Sequence, residues 1–268
     1  MDFAGDNISS SEISLFDEKK GKNIIAVSSG KRGDGKTWFA ATLAHVFSTL
    51  KYKTLFFDND LGLENINAQL GFSVQHDIGG VINGEVTLNQ IIRHCDKTKF
   101  DIITGRSGTA QISSMPIGRL QIIGDDLAIL SSMYEKVIID TSDCGGRNER
   151  ILSGKAGRVI VVCTGDSESV TEAYNVIKIM TMQYPKNMIS IVVNKANTIS
   201  DGKRTYSTLL NACQNYLSIS PALLGVVRRD TRIRDAIRNQ SPMISRYPTS
   251  EAVEDMFAIA KKILEEDK

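Results

Sequence analysis

The stretch Ile24-Ile25-Ala26-Val27-Ser28-Ser29-Gly30-Lys31-Arg32-Gly33-Asp34-Gly35-Lys36-Thr37 decides the fold: a short apolar run followed at once by G-x-x-x-x-G-K-T. The apolar run reads as a strand, and the glycines after it let backbone N–H groups turn inward around a chain of phosphates. Lys36 is placed to reach the β- and γ-phosphates, and the Thr37 hydroxyl to complete a magnesium shell at a helix N-terminus. Phe39, Leu43, Val46, Phe47 and Leu50 follow at helical spacing, so strand, loop and helix come in the order this chemistry requires. Chance alone places the four fixed residues in a chain of this length on the order of once in a hundred sequences. The expectation is a site for ATP or GTP with Mg²⁺, built from Gly30, Lys31, Arg32, Gly33, Asp34, Gly35, Lys36 and Thr37, with Trp38 just inside the helix. The alternative is a ligand-free, glycine-rich turn.

Working outward, short β-branched runs alternate with longer helical patterns: 24–27, 54–57, 101–103, 137–139, 159–162, 189–193 and 223–227. Several are apolar on both faces, as strands of a covered parallel sheet must be. This predicts an α/β domain, residues 21–268, with a mostly parallel sheet and helices on both faces. Residues 1–20 are polar and acidic without a sustained period and read as a mobile tail. In such sheets ligands bind at the carboxyl ends of the strands. There Asp58-Asn59-Asp60 follows one predicted strand and Asp140 another, so three carboxylates leave strand ends near the phosphate loop. Each is suited to hold Mg²⁺ or orient an attacking water, although Asp after a strand is also a common turn or cap residue.

Bulk properties exclude several classes. The chain has 268 residues, 41% hydrophobic and 24% charged, with 32 basic and 31 acidic side chains and a net charge of +1. No global field draws it to DNA or anionic lipid, so any such contact must be local. Its apolar runs fall short of the ~18 residues a membrane span needs, and a cytoplasmic protein is expected. Cys95, Cys144, Cys163 and Cys213 form no C-x-x-C pair, and His45, His76 and His94 are scattered. That pattern speaks against a zinc site and a disulfide framework. Near the end, Val253, Met256, Phe257, Ala260, Ile263 and Leu264 form a helical apolar stripe that stops at Glu265-Glu266-Asp267-Lys268. An acidic end suits core packing better than an anionic membrane surface.

The loop Gly30-Lys31-x-Gly33-x-Gly35-Lys36-Thr37, with its early lysine, resembles the deviant Walker A motif of the MinD/ParA ATPases. Asp58-Asn59-Asp60-Leu61-Gly62-Leu63-Glu64-Asn65 is similar to their D-x-D-x-G-L-x-N switch, and Val137-Ile138-Ile139-Asp140 to their Walker B strand. The resemblance implies a P-loop NTPase of the SIMIBI class that hydrolyses ATP slowly with Mg²⁺ and dimerises when ATP is bound. By the same likeness Lys31, Lys36 and Asp60 are catalytic, and Thr37, Asp58 and Asp140 attend the metal. Asn194, in Val192-Val193-Asn194-Lys195, would read adenine, with Asp230 on the same side. Within the superfamily the chain most resembles the flagellar-number regulators (FlhG/FleN). Ser107-Gly108, Ala173-Tyr174, residues 225–230, Asp235-Ala236, Gln240-Ser241-Pro242 and Tyr247-Pro248 carry that likeness. It implies an ATP-dependent homodimer that controls the number or placement of flagella or another polar structure. Its partner would be a flagellar GTPase or switch-complex protein, with recruitment to a cell pole or the inner membrane face. ParA-like partition and MinD-like division-site roles are the alternatives.

Departures from the pattern carry their own expectations. Arg32 stands where the family has a second glycine. It either restricts a backbone that needs a positive φ, or adds a cation to the phosphates. Residues 141–146 depart from the family's D-T-x-A-G run. Arg228 replaces a usual proline, and the N-terminal D-Q-A element is absent from residues 1–20. Arg228, Arg229, Arg232, Arg234 and Arg238 form a basic span with three readings: a solvated face paired with Asp230 and Asp235, a docking site for an acidic partner, or a contact for DNA phosphates. Cys144-Gly145-Gly146 resembles the nitrogenase iron protein, but Cys95 lies in no glycine-rich loop, which disfavours a shared cluster. An ATP-dependent amide or biotin-pathway synthetase would need a substrate domain that is not evident.

Overall fold

The computed structural model describes residues 21–59, 66–71, 78–105, 116–141 and 147–268. Eight strands form one sheet: β1 (Ile24–Ser29), β2 (Thr54–Asp58), β3 (Arg93–Cys95), β4 (Phe100–Ile103), β5 (Lys136–Asp140), β6 (Arg158–Cys163), β7 (Met188–Ala196) and β8 (Ala222–Arg228). Their order is β3-β4-β2-β5-β1-β6-β7-β8. Every pairing is parallel except that of β3 with β4. All seven strands read from the apolar runs are present. β3 was not readable, because Arg93-His94-Cys95 is short and two-thirds polar.

Within β1 the side chains alternate between two cores. Ile24 and Ala26 join Leu55, Val137, Val159 and Ile191 on one face, while Ile25 and Val27 join Phe56, Ile138, Ile160 and Val192 on the other. The first face is covered by α4 (Ile117–Leu130), α5 (Arg147–Ser153), α6 (Ser167–Gln183) and α7 (Ile199–Leu217), and Ile78 of α3 (Ile78–Asn83) packs there too. The second is covered by α1 (Lys36–Thr49) and α10 (Glu251–Glu266), with Ile66 of α2 (Ile66–Leu70), Ala236 of α8 (Arg232–Arg238) and Met243 of α9 (Met243–Arg246). Phe39, Phe47, Phe56 and Phe57 are fully buried, each contributing on the order of 2 to 3 kcal/mol of transfer free energy.

The predicted stripe on α10 is core packing: Val253, Met256, Ala260 and Ile263 are buried, and Phe257 and Leu264 pack partly against them. Its acidic end is also occupied. Glu266 lies 2.6 Å from Arg158 and Asp267 lies 2.6 Å from Lys136, two buried cations at the amino ends of β6 and β5. No described helix is long and apolar enough to cross a membrane.

Register aligns the carboxyl ends. Asp140 of β5 pairs with Val27 of β1 and Asp58 of β2, and Ser29 of β1 pairs with Val162 of β6. The phosphate loop therefore leaves the sheet level with both strand-end aspartates.

Candidate nucleotide site

The loop turns because two of its glycines adopt φ +89°, at Gly33 and Gly35. Gly35 serves as the N-cap of α1, so the first N–H groups of that helix face the loop interior. Gly30 is required for another reason: a Cβ there would sit 2.2 Å from the Glu172 backbone of α6. Arg32 has no positive φ. The backbone strain expected from a side chain at that position does not arise, because the left-handed turns fall on Gly33 and Gly35 instead.

Lys36 is buried, and its Nζ stands 3.7 Å from a carboxylate oxygen of Asp140, which is fully buried. Asp58 is also fully buried, and one of its oxygens accepts from the Thr104 hydroxyl at 3.0 Å and the Ile66 N–H at 3.2 Å. Beside them Asn59 is 1% exposed, and neither atom of its amide finds a hydrogen-bond partner among the described residues. Buried polar atoms are normally satisfied, so an orphaned amide directly after Asp58, on a residue whose N–H donates to the Asp140 carbonyl at 3.0 Å, marks a place prepared for something further. Carboxylate, amide and hydroxyl oxygens are the ligands of a hard cation such as Mg²⁺, which keeps much of its shell as water and phosphate. The residues present fit that ion.

The other predicted residues divide. Asp34 is buried, and its carboxylate accepts from Ser169 Oγ at 2.9 Å; burial raises its pKa, and the Ser169 hydrogen bond partly offsets that rise. Asn194 is also buried, but its amide serves the loop: Nδ2 donates to the Asp34 carbonyl at 2.7 Å, and Oδ1 accepts from the Lys195 N–H at 2.9 Å. Trp38 turns its indole into the core beneath α1, where Nε1 has no partner among the described residues. Asp230 is taken up by Arg232, whose guanidinium lies 2.7 Å away and holds the carboxyl below its usual range. Asp60, Ser107-Gly108 and Cys144 lie outside the described residues, while Cys95, Cys163 and Cys213 are buried free thiols.

Lys31 points away from the loop interior. Its ammonium is 2.5 Å from Glu168 and 3.2 Å from Asp166, and these two carboxylates, Glu168 first, raise its pKa. Asp166 caps α6 by accepting the Ser169 N–H at 3.0 Å. The Thr164 hydroxyl, then that N–H, then Lys31 hold Asp166 down at about 2. These acceptors were not singled out in the sequence, although Asp166-Ser167-Glu168-Ser169 directly after a predicted strand has the form of a helix cap.

A groove of about 880 Å³ flanks the loop, lined among others by Lys31, Arg32, Lys195, Arg204 and Arg229. The basic span itself is dispersed. Arg228 turns inward onto Asp255 at 2.8 Å and Glu251 at 2.7 Å, Arg232 takes Asp230, and Asp235 pairs with Arg246 rather than with any arginine of the span. Arg229, Arg234 and Arg238 are exposed.

Residues 25–243 match the CobQ/CobB/MinD/ParA nucleotide binding domain. The chain is 25% identical over 244 residues to the antiactivator FleN of Pseudomonas aeruginosa, covering 90% of this chain and 85% of that protein. It is 28% identical over 230 residues to the flagellum site-determining protein YlxH of Helicobacter pylori, covering 85% and 76%. Among solved structures, the septum site-determining protein MinD from Pyrococcus horikoshii, complexed with Mg-ADP, superposes with a TM-score of 0.72 at 18% identity, covering 90% of this chain and 96% of that one. The glycine-capped phosphate loop, the strand-end aspartates and this matched span together make the chain a member of the CobQ/CobB/MinD/ParA nucleotide-binding family.

Proposed function

We propose that the chain is a Mg²⁺-dependent ATPase whose ATP-loaded form dimerises and regulates the number or placement of flagella. The observation that carries the reading is the junction of Lys36 with Asp140 beneath a loop whose N–H groups converge at the start of α1. A lysine at a phosphate loop and buried strand-end carboxylates are what phosphoryl transfer needs, because its catalysis is mostly positioning and charge stabilisation. Thr37, Asp58 and Asp140 would hold the magnesium ion, which when bound neutralises developing phosphate charge. Lys36 stabilises the same charge from the protein side, and Asp60 would orient the attacking water. Lys31 would cross to the nucleotide of a second copy, so release of phosphate removes the charge joining two subunits. The flagellar assignment is supported by the likeness to FleN and YlxH over most of the chain.

The test combines calorimetry with light scattering. Wild type is expected to bind MgATP and to double its mass with it. Lys31→Ala is expected to bind MgATP and stay monomeric. Absence of MgATP binding by wild type overturns the activity, and normal dimers of Lys31→Ala overturn the bridging mechanism. Deletion in the source cell, with flagella counted by electron microscopy, tests the assignment; an unchanged count and placement would remove it.

A further inference from the structure

We propose that the apolar run Ile13-Ser14-Leu15-Phe16 docks on the outer face of α4, making that face the seat of this chain's own amino-terminal segment. The face is built in one line. Ile122 and Ile129 lie seven residues apart, which on a helix returns to nearly the same direction, and Met133, in the 3-10 turn Ser131–Met133, extends the line. All three are more than half exposed, at 59%, 59% and 54%. They take no part in the inward face of α4, where Leu120, Ile123, Leu127 and Leu130 are buried in the core. Single exposed apolar residues are ordinary, whereas a line of three along one helix is a stripe with a reason to be covered.

The point where the described chain begins decides what can cover it. Residues 1–20 lie outside the described residues, and the chain enters at Gly21. Two residues on, Asn23 Nδ2 donates to the carbonyls of Ser131 and Tyr134, both at 2.8 Å, which pins the entering chain on either side of Met133. The Gly21 carbonyl also accepts from the Gly157 N–H at 2.8 Å, so the root is fixed to β6 as well as to the end of α4. Residues 13–16 are the densest apolar run in an otherwise polar and acidic stretch. Phe16 is five residues from Gly21, so an extended chain carries it up to about 18 Å from the root. From Met133 to Ile122 the stripe runs about 16 Å along the helix. A tether this short holds the segment near the stripe at a roughly millimolar effective concentration, which favours it over a second copy of the chain. Met182 and Met188 are exposed on the other side of the root, where the Met188 N–H donates to the Gly157 carbonyl. They stand on different elements, α6 and β7, and form no continuous line.

Disulfide trapping on the full chain tests the docking. Ser14→Cys is combined with Ser132→Cys beside the stripe or with Gln183→Cys beside Met182, both exposed positions. Cys144→Ser is added throughout, since Cys95, Cys163 and Cys213 are buried. Under mild oxidant the Ser14→Cys/Ser132→Cys protein is expected to close a disulfide within one chain about tenfold faster than the Gln183→Cys protein. Adding Ile122→Asp and Ile129→Asp, which are exposed and spare the core, should slow that closure about tenfold or more, the factor for losing one buried isoleucine. Mass spectrometry of the cross-linked peptides and non-reducing gels read both rate and connectivity. Faster closure onto Gln183→Cys would seat the segment at the start of β7, and disulfides mainly between chains would make the stripe an interface between copies; either result overturns the proposal. Closure at equal rates, or closure unaffected by the two aspartates, would leave the segment tethered but undocked and overturns it too.

Discussion

At the amino end of the sheet Lys136 and Arg158 close on Asp267 and Glu266, whereas at the carboxyl end Lys36 faces Asp140 and Lys31 closes on Glu168 and Asp166. The amino-end pairs are complete, with contacts of 2.6 Å to each cation. They also solve a local problem, since carboxylates in the last turn of a helix oppose its dipole and need nearby cations. The contact at the foot of the phosphate loop is longer. Lys36 and Asp140 are separated by 3.7 Å, beyond hydrogen-bond length, and the amide of Asn59, whose N–H reaches the Asp140 carbonyl, has no partner among the described residues. Short pairs mark the end that holds the fold, and a longer lysine–aspartate contact near an unsatisfied buried amide marks the end prepared for a ligand.

The sharpest way to break this contrast is Lys36→Ala. Removing the cation that faces the phosphates should cost MgATP binding about 2 to 5 kcal/mol, on the order of 30-fold to a few thousand-fold by calorimetry. Affinity within about threefold of wild type, outside that range, would mean that the carboxyl end is structural too.

His45, on the helix joining the two ends, gives the next largest effect. Burial lowers its pKa from 6.5 to about 4, so the folded state keeps the ring neutral where the unfolded chain would protonate it. The stabilisation is present above pH 6.5 and is lost as pH falls toward 4. It amounts to about 3 kcal/mol in full, with about 2 kcal/mol gone by pH 5. Urea titrations from pH 7 to pH 4.5 should show this slope, and His45→Gln should flatten it. An equal slope in both proteins would assign acid sensitivity elsewhere.

At the amino end Arg158→Ala should act on stability alone. The guanidinium is buried, but its partners are about a third exposed and free to take up water. The expected loss is therefore about 2 kcal/mol, below that of a fully buried pair. Denaturant unfolding measures it, while MgATP affinity of the folded variant should be unchanged. A variant that unfolds normally but binds nucleotide poorly would erase the division between the two ends.

The two ends also differed in how legible they were. G-x-x-x-x-G-K-T, the aspartates after Phe57 and Ile139, and the seven apolar strands announce themselves because backbone turns and sheet burial impose local rules on residue type. The clamp at the amino end does not. Glu266 and Arg158 are far apart in sequence, and an acidic terminus looks the same whether solvated or paired. Asn194 shows an intermediate case: its motif was visible, but its hold on the Asp34 carbonyl depends on where β7 ends relative to β1. Arg228 is similar, since only the packing of α10 against β8 shows that it meets Asp255.

The smallest effect, and the finest test of the contrast, concerns Lys31. The lysine is held by Glu168 and Asp166, yet bridging to a second subunit requires the ammonium to leave them. Glu168 is largely exposed and makes the shorter contact, at 2.5 Å, so it is the partner whose loss frees the lysine with least disturbance to the helix cap formed by Asp166. Glu168→Gln should strengthen the ATP-dependent dimer on the order of two- to fivefold, a size set by solvent screening of exposed pairs. The effect should shrink as salt rises, because added ions weaken the same attraction in wild type. Sedimentation at two ionic strengths reads both quantities. A dimer weakened by Glu168→Gln would place Glu168 among the contacts that hold the subunits together instead of among those that restrain Lys31.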